Sequence, residues 1–162
     1  MKTLIIYDSL YGNTEKIARA MGSALESQGE VAVLRVGEVK PEQLAGVDFL
    51  IAGSPTQRFN ATLPVSSLLK GMAKDSLKGV RVAAFDTRLT ASHINQTPVL
   101  AFFVRLWGRS AYAAQHIADA LKKKGGELVA PPEGFYVEGT EGPLVEGEVE
   151  RAAEWARQVI TK

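Results

Sequence analysis

The stretch TLIIYDSLYGNTEKIA, residues 3–18, decides the fold. Residues 3–7 are apolar and β-rich without alternation, the pattern of a strand covered on both faces. From residue 14 the apolar positions take helical spacing, with Ile17, Met21, Ala24 and Leu25 on one stripe. Between strand and helix, one turn crowds together Ser9, Tyr11, Gly12, Asn13 and Thr14. Gly12 lets the backbone pass close to a ligand, while Ser9, Asn13 and Thr14 supply hydroxyl and amide donors. A helix starting near Asn13 or Thr14 aims its free N–H groups and positive dipole end into the same space. Each feature favours a phosphate. A plain strand-to-helix turn capped by Asn13 or Thr14 would use the same residues without a ligand.

Outward from this turn the pattern repeats. VAVLRV (31–36), VDFLIAG (47–53) and GVRVAAFD (79–86) read as strands, and ELVA with GFYVEG forms a fifth strand region interrupted by Pro131 and Pro132. KPEQLAG holds a short helix, and LPVSSLLKGM starts another with Pro64 in its first turn. Residues 110–126 repeat apolar side chains at Ala114, Ile117, Ala118 and Leu121 and end in lysines and glycine. A last helix from Glu146 is expected to bury Val149, Ala152, Ala153, Ala156 and Ile160, with Trp155 at its edge. Strands alternating with helices predict a three-layer α/β sandwich: a five-stranded parallel sheet with helices on both faces, in a single domain over 1–162. Such sheets bind ligands beyond the carboxyl ends of their strands. Those ends are Tyr7–Thr14, Gly53–Asn60 and Asp86 onward.

Composition narrows the chemistry. The 162 residues include no cysteine, which removes disulfides, iron–sulfur clusters and thiolate nucleophiles, and the two histidines, His93 and His116, are too few for a zinc centre. The apolar start is too short for a signal peptide and no run approaches a spanning helix, so a cytoplasmic protein is expected. Net charge is +1, yet residues 88–124 hold six Lys or Arg against Asp119 alone, and residues 125–162 hold eight Glu against three cations. Solvated helix faces or one anion-facing surface would both produce that asymmetry. Nothing in the chain points to nucleic acid.

Other phosphate loops are missing: there is no GxxxxGK[ST], and no GxGxxG follows the first strand. The spacing S-L-Y-G-N-T instead resembles the phosphate loop of flavodoxins, written [ST]-x-x-G-x-T, preceded by an aromatic and followed by alanine; here these are Tyr7, Ser9, Gly12, Thr14 and Ala18. GSPTQRFNATLP (53–64) resembles the flavin-contacting loop of the same family. Its SPT triplet also resembles the flavodoxin domains of flavodiiron proteins, and PTQRF is similar to the PTRF loop of flavodoxin-like quinone reductases, offset by Gln57. FDTRLT (85–90) sits where flavodoxins place their second flavin-flanking loop, without the usual acidic and aromatic residues. Receiver domains share the architecture but need an Asp ending the third strand, where this chain has Gly53.

The resemblance spans the chain and implies noncovalent FMN used for electron transfer. It implies that Ser9, Leu10, Tyr11, Gly12, Asn13 and Thr14 wrap the phosphate. Pro55, Thr56, Gln57, Arg58, Phe59 and Asn60 then line the isoalloxazine, and Asp86, Thr87 and Arg88 close the other side. Phe59 is expected to stack on the ring or to plug the loop beneath it, with Tyr11 over the ribityl chain. Arg58 and Arg88 beside the ring would raise its potentials above those of low-potential flavodoxins. Two alternatives stay open: an NAD(P)H-dependent quinone reductase and a flavin-free partner-binding module. Flavodoxin carriers are usually acidic, unlike this chain, whereas tetrameric quinone reductases carry extra segments for which it has little room.

Residues 93–110, HINQTPVLAFFVRLWGRS, exceed what a strand-to-helix loop needs. Val99 to Trp107 is apolar except for Arg105. The segment is expected either to fold onto the core or to stand as a flap beside the flavin, making a homo-oligomer or membrane-surface contact through 94–107. Arg88, Arg105 and Arg109 around it suit an anionic surface. The expected partner is a redox protein or a quinone.

Overall fold

A computed structural model describes residues 1–162. Five main strand positions form one parallel sheet. Strand β1 (Lys2–Tyr7) pairs with β2 (Glu30–Arg35) on one side and with β3 (Phe49–Pro55) on the other. Strand β3 pairs with β4 (Arg81–Leu89). The outer edge of β4 carries two segments in succession, β5 (Glu127–Leu128) at Arg81–Val82 and β6 (Glu133–Val137) at Phe85–Leu89. The expected fifth strand is thus broken in two: Pro131 and Pro132 donate no N–H to a ladder, and pairing resumes at Glu133.

Both faces of the sheet are covered because adjacent side chains point oppositely. In β1, Ile5 and Tyr7 enter one core with α1 (Asn13–Leu25) and α7 (Glu148–Ile160), joined by Ile51, Phe85 and Phe135. Leu4 and Ile6 enter the other with α3 (Leu63–Gly71) and α6 (Ala113–Lys123), joined by Leu50, Val82 and Ala84. A short α2 (Pro41–Leu44) lies between β2 and β3. This is the expected three-layer sandwich.

Several expectations shift. In α7 it is Trp155 that is buried and Val149 that stands 38% exposed. The helix starts at Glu148, whose buried carboxylate is held by Arg151 and the Tyr136 N–H, and the apolar stripe then runs through Ala152, Trp155, Ala156 and Val159. Strand β4 continues to Leu89, so Asp86, Thr87 and Arg88 belong to a strand and alternate in direction. Residues 91–107 form two helices, α4 (Ala91–Asn95), opened by the Thr90 hydroxyl accepting the His93 N–H, and α5 (Pro98–Trp107), opened by Pro98. No helix is long and apolar enough to cross a membrane.

Candidate functional site

At the carboxyl ends of β1, β3, β4 and β6 lies a cavity of about 600 Å³. That volume falls in the range of roughly 300–1,000 Å³ typical of small-molecule sites. Its walls come from four separate segments, and the residues between β1 and α1 form the first.

Gly12 is the N-cap of α1 with φ 89°, and a Cβ there would meet no protein atom within 4 Å. The left-handed backbone, rather than crowding, is what demands glycine. The Gly12 N–H donates to the Ser9 hydroxyl oxygen at 3.0 Å, closing the turn. The Lys16 N–H reaches the Gly12 carbonyl, but the N–H groups of Leu10, Tyr11, Asn13, Thr14 and Glu15 have no protein acceptor. No side chain caps the helix. Asn13 donates its amide to the Glu141 carbonyl at 3.1 Å, tying the turn to the loop after β6. Thr14 and Thr87, both buried, share one hydrogen bond of 2.8 Å between hydroxyls. Two hydroxyls hold two protons and this contact uses one, leaving the pair a donor to offer.

Asp8 is a buried carboxylate beside this donor cluster. It accepts from the Thr62 hydroxyl at 2.7 Å and the Ser9 N–H at 2.9 Å, with Arg35 at 3.4 Å. Those partners occupy its oxygens, and Asp8 forms no part of the cavity wall.

The second segment follows β3. Gln57 and Asn60 exchange backbone hydrogen bonds of 2.8 Å around Arg58 and Phe59, whose φ values are 46° and 66°. Positive φ at both central residues is the geometry of a type I′ turn, which prefers Asn-Gly. Arg and Phe there carry about 1–3 kcal/mol of strain each, which is how functional loops are often held. Arg58 faces the cavity, whereas Phe59 turns away from it. The Phe59 ring meets Trp107 edge-on at 4.8 Å and Phe103 at 6.0 Å, in a small apolar cavity under α5 with Ile94, Leu100 and Val104.

The third segment is the end of β4. Asp86 is fully buried and accepts from Arg88 at both oxygens, 2.6 Å from Nε and 2.8 Å from Nη2. It also accepts the Ala114 N–H at 2.9 Å, while Thr56 accepts that of Ala113, so both loops are fixed to the start of α6. Burial pushes the Asp86 carboxyl up, and the Arg88 guanidinium opposes that push. Arg88 itself lies 3.7 Å over the Tyr112 ring, in space that a side chain at Gly134 would fill.

Eleven of the residues singled out from the sequence therefore share one cavity: Ser9, Leu10, Tyr11, Asn13, Thr14, Pro55, Thr56, Gln57, Arg58, Thr87 and Arg88. Gly12, Phe59, Asn60 and Asp86 form no part of its wall. Ala61, Thr62, Leu63, Leu89, Val137 and Thr140 complete it and were not anticipated. Val137 ends β6, and Thr140 lies in the turn after it. The signal for Thr140 was its turn-rich setting, EGTEG, just past a parallel strand.

The donor set fits FMN. The wall contains no Asp or Glu, its cations are Arg58 and Arg88, and unpartnered N–H groups gather at the α1 end. Tyr11 is the one aromatic on the wall, 53% exposed, and Leu63 is 78% exposed. An anion-binding end and an open slot flanked by an aromatic and a leucine side chain are what a phosphorylated planar ring requires.

Comparison with known proteins agrees with this geometry. Residues 5–155 match the family described as Flavodoxin. A flavodoxin from the domain Archaea superposes with a TM-score of 0.76 at 20% identity, covering 99% of this chain and 97% of that one. Oxidised Flavodoxin 2 from Bacillus cereus gives 0.74 at 22% identity, with 99% of each chain covered. The rubredoxin oxygen:oxidoreductase of Desulfovibrio gigas gives 0.72 at 19% identity, covering 99% of this chain and 35% of that one.

Proposed function

The chain belongs to the flavodoxin family, so it binds FMN and transfers electrons through it, and we propose that the cavity between the β1, β3, β4 and β6 ends is the FMN site of a cytoplasmic electron carrier. When bound, FMN supplies the redox chemistry; the protein binds it, orients it and sets its surroundings. The flavin-free module considered from the sequence is thereby set aside.

The observation that carries this placement is the set of unpartnered N–H groups of Leu10, Tyr11, Asn13, Thr14 and Glu15, at the end of a cavity whose wall is free of acids. These groups, the Ser9 hydroxyl and the Thr14–Thr87 pair hold the phosphate. Asn13 keeps the turn in register through Glu141. Tyr11 and Leu63 shield the ring, while Phe59 takes the second of its two expected places, packed beneath its loop against Phe103 and Trp107. Pro55, Thr56, Gln57 and Arg58 line the slot, with Thr87 and Arg88 opposite. Asp86 acts through Arg88 and α6 and is a positioning residue, as Gly12, Phe59 and Asn60 are for their turns.

Members of this family exchange electrons with redox partners. For this chain the acceptor is a redox protein or a quinone, met on the side where residues 94–107 cover the small cavity that adjoins the site. The test is titration of flavin-free protein with FMN, read by quenching of flavin fluorescence, in the parent and in Thr14→Val. Weak or unchanged binding in both would remove the site from this cavity. Steady-state NAD(P)H oxidation with a quinone then separates a reductase, which sustains it, from a carrier, which does not.

A further inference from the structure

Helix α5 contains no buried residue, although its sequence PVLAFFVRLW carries a single charge. One side is occupied: Phe103 and Trp107 pack on Phe59, and Leu100 and Val104 wall the small cavity beneath. The other side is free. Val99, Phe102 and Leu106, spaced to share one helix face, are 67%, 60% and 63% exposed. They wall neither the FMN cavity nor the cavity beneath the helix, so the face is a ridge rather than a groove. Arg58, Arg88, Thr56 and Leu89 wall both cavities, which places this ridge directly beside the proposed flavin site.

Charge selects the occupant. No Asp or Glu occurs from Thr87 to Ala118, and neither Arg105 nor Arg109 enters an ion pair of the protein. A two-fold pairing of this face with a second copy would set the same arginines against each other with no acid to meet them. An anionic bilayer suits both features. Its headgroup boundary yields to a convex apolar ridge and takes up Phe and Leu side chains, and its phosphates receive the arginines. Trp107 at the end of the helix is the residue type that favours that boundary. The ten residues of α5 lie on such a surface rather than cross it.

We propose that α5 seats the protein on an anionic lipid surface, with Val99, Phe102 and Leu106 in the interface and Arg105 and Arg109 on lipid phosphates, bringing the flavin cavity to the membrane. The proposal rests on the FMN reading above and makes a membrane-resident quinone or a membrane-bound redox protein the acceptor.

The experiment is co-sedimentation of the FMN-loaded full chain with vesicles of phosphatidylcholine alone or mixed with phosphatidylglycerol. Binding is expected only to the mixed vesicles, falling with salt and by about fivefold for each of Arg105→Gln and Arg109→Gln. Phe102→Glu with Leu106→Glu should abolish it while FMN content and melting temperature stay at parental values. Val99→Glu serves as a second reporter should that double variant fold poorly. Parent protein that ignores anionic vesicles, or arginine variants that bind as well as the parent, would overturn the proposal. So would a dimer in light scattering that Phe102→Glu dissolves without any vesicle binding, or docking of an acidic protein in place of lipid. Loss of FMN from the parent would instead strike the flavin reading, so the two failures are distinguishable.

Discussion

Replacing Arg88 by alanine isolates the most consequential contact of the site. Asp86 is wholly buried and the Arg88 side chain 17% exposed, with two hydrogen bonds between them. Removing the guanidinium leaves the carboxylate with the Ala114 N–H and the neighbouring Thr56 hydroxyl but no charged partner, and stripping one partner from a buried pair costs about 3–5 kcal/mol. Part of that cost can be avoided by protonation, which gives the loss a pH signature. Burial already pushes the Asp86 carboxyl up, and without Arg88 it rises further. The folded variant then holds a proton that the unfolded chain releases above about pH 3.9. Where the native state binds more protons, stability grows as pH falls. The deficit relative to the parent should therefore be largest above the variant's raised folded value and shrink by up to about 1.4 kcal/mol per pH unit below it, until the parent's own, less raised value is reached. Urea denaturation of flavin-free parent and variant over a pH series from mildly acidic to mildly alkaline measures this. Asp86→Asn is the control: Arg88 can turn to solvent, so the loss should be smaller, and the variant's own stability should lack the Asp86 titration. A deficit under about 1 kcal/mol, or one that does not move with pH, would show that the two side chains do not act as one buried pair.

Thr14→Val should weaken FMN by about 1.5–3 kcal/mol, the usual worth of a hydrogen bond to a charged group, as read by fluorescence titration. Gly12→Ala should cost about 1 kcal/mol in thermal or urea unfolding, through its left-handed φ of 89°. Tyr11→Ala should loosen FMN with little change in the flavin-free protein's stability. Phe59→Ala should do the reverse, lowering stability by releasing Trp107 and Phe103; equal effects on FMN would refute the assignment. For Glu148, burial raises the carboxyl but the hydrogen bonds from Arg151 and the Tyr136 N–H outweigh it, and its pKa is lowered overall. Its contribution is therefore full above about pH 4.3 and disappears as pH falls through the lower folded value, so Glu148→Gln should unfold more readily at neutral pH and lose that disadvantage in acid.

What could be read from the sequence was whatever local spacing dictates. The switch from an unbroken apolar strand to a helical stripe across residues 3–18 located the turn, and the phosphate-favouring residues within it do line one cavity. Strand ends in a parallel sheet converge, which is why loops as distant as 9–14, 55–58 and 87–88 meet. The failures have a different origin. Which of its two expected places Phe59 takes stays open in the sequence because it depends on α5, more than forty residues later, and no local signal reports that contact. Val149 looked like a core residue because of its apolarity, but Glu148, neutralised by Arg151, takes the inward position before it. The Asp86–Arg88 pair was within reach: two residues apart on a strand share a face, and only the assumption of a loop after residue 86 concealed it.

That pair also changes the electrostatic argument about potential. A free cation about 6 Å from the ring at an effective dielectric near 20 would favour the reduced anion by roughly 2–3 kcal/mol, and the sequence offers two candidates in Arg58 and Arg88. The structure neutralises one of them. Arg88 faces the cavity, yet its charge is balanced by Asp86 at 2.6 Å, so the flavin would meet a dipole instead of a full positive charge. Arg58 remains, on an exposed turn where water and salt screen it. The absence of acids on the wall is then the stronger influence, because nothing there repels a reduced anionic ring in the way that an acidic setting does. The expectation is still of potentials above those of low-potential flavodoxins, but through missing negative charge more than through added positive charge. On that reasoning Arg58→Gln should shift a redox titration little, whereas a carboxylate placed on the wall, as in Leu63→Glu, should lower the potential measurably. A large shift in Arg58→Gln with none in Leu63→Glu would reverse the argument.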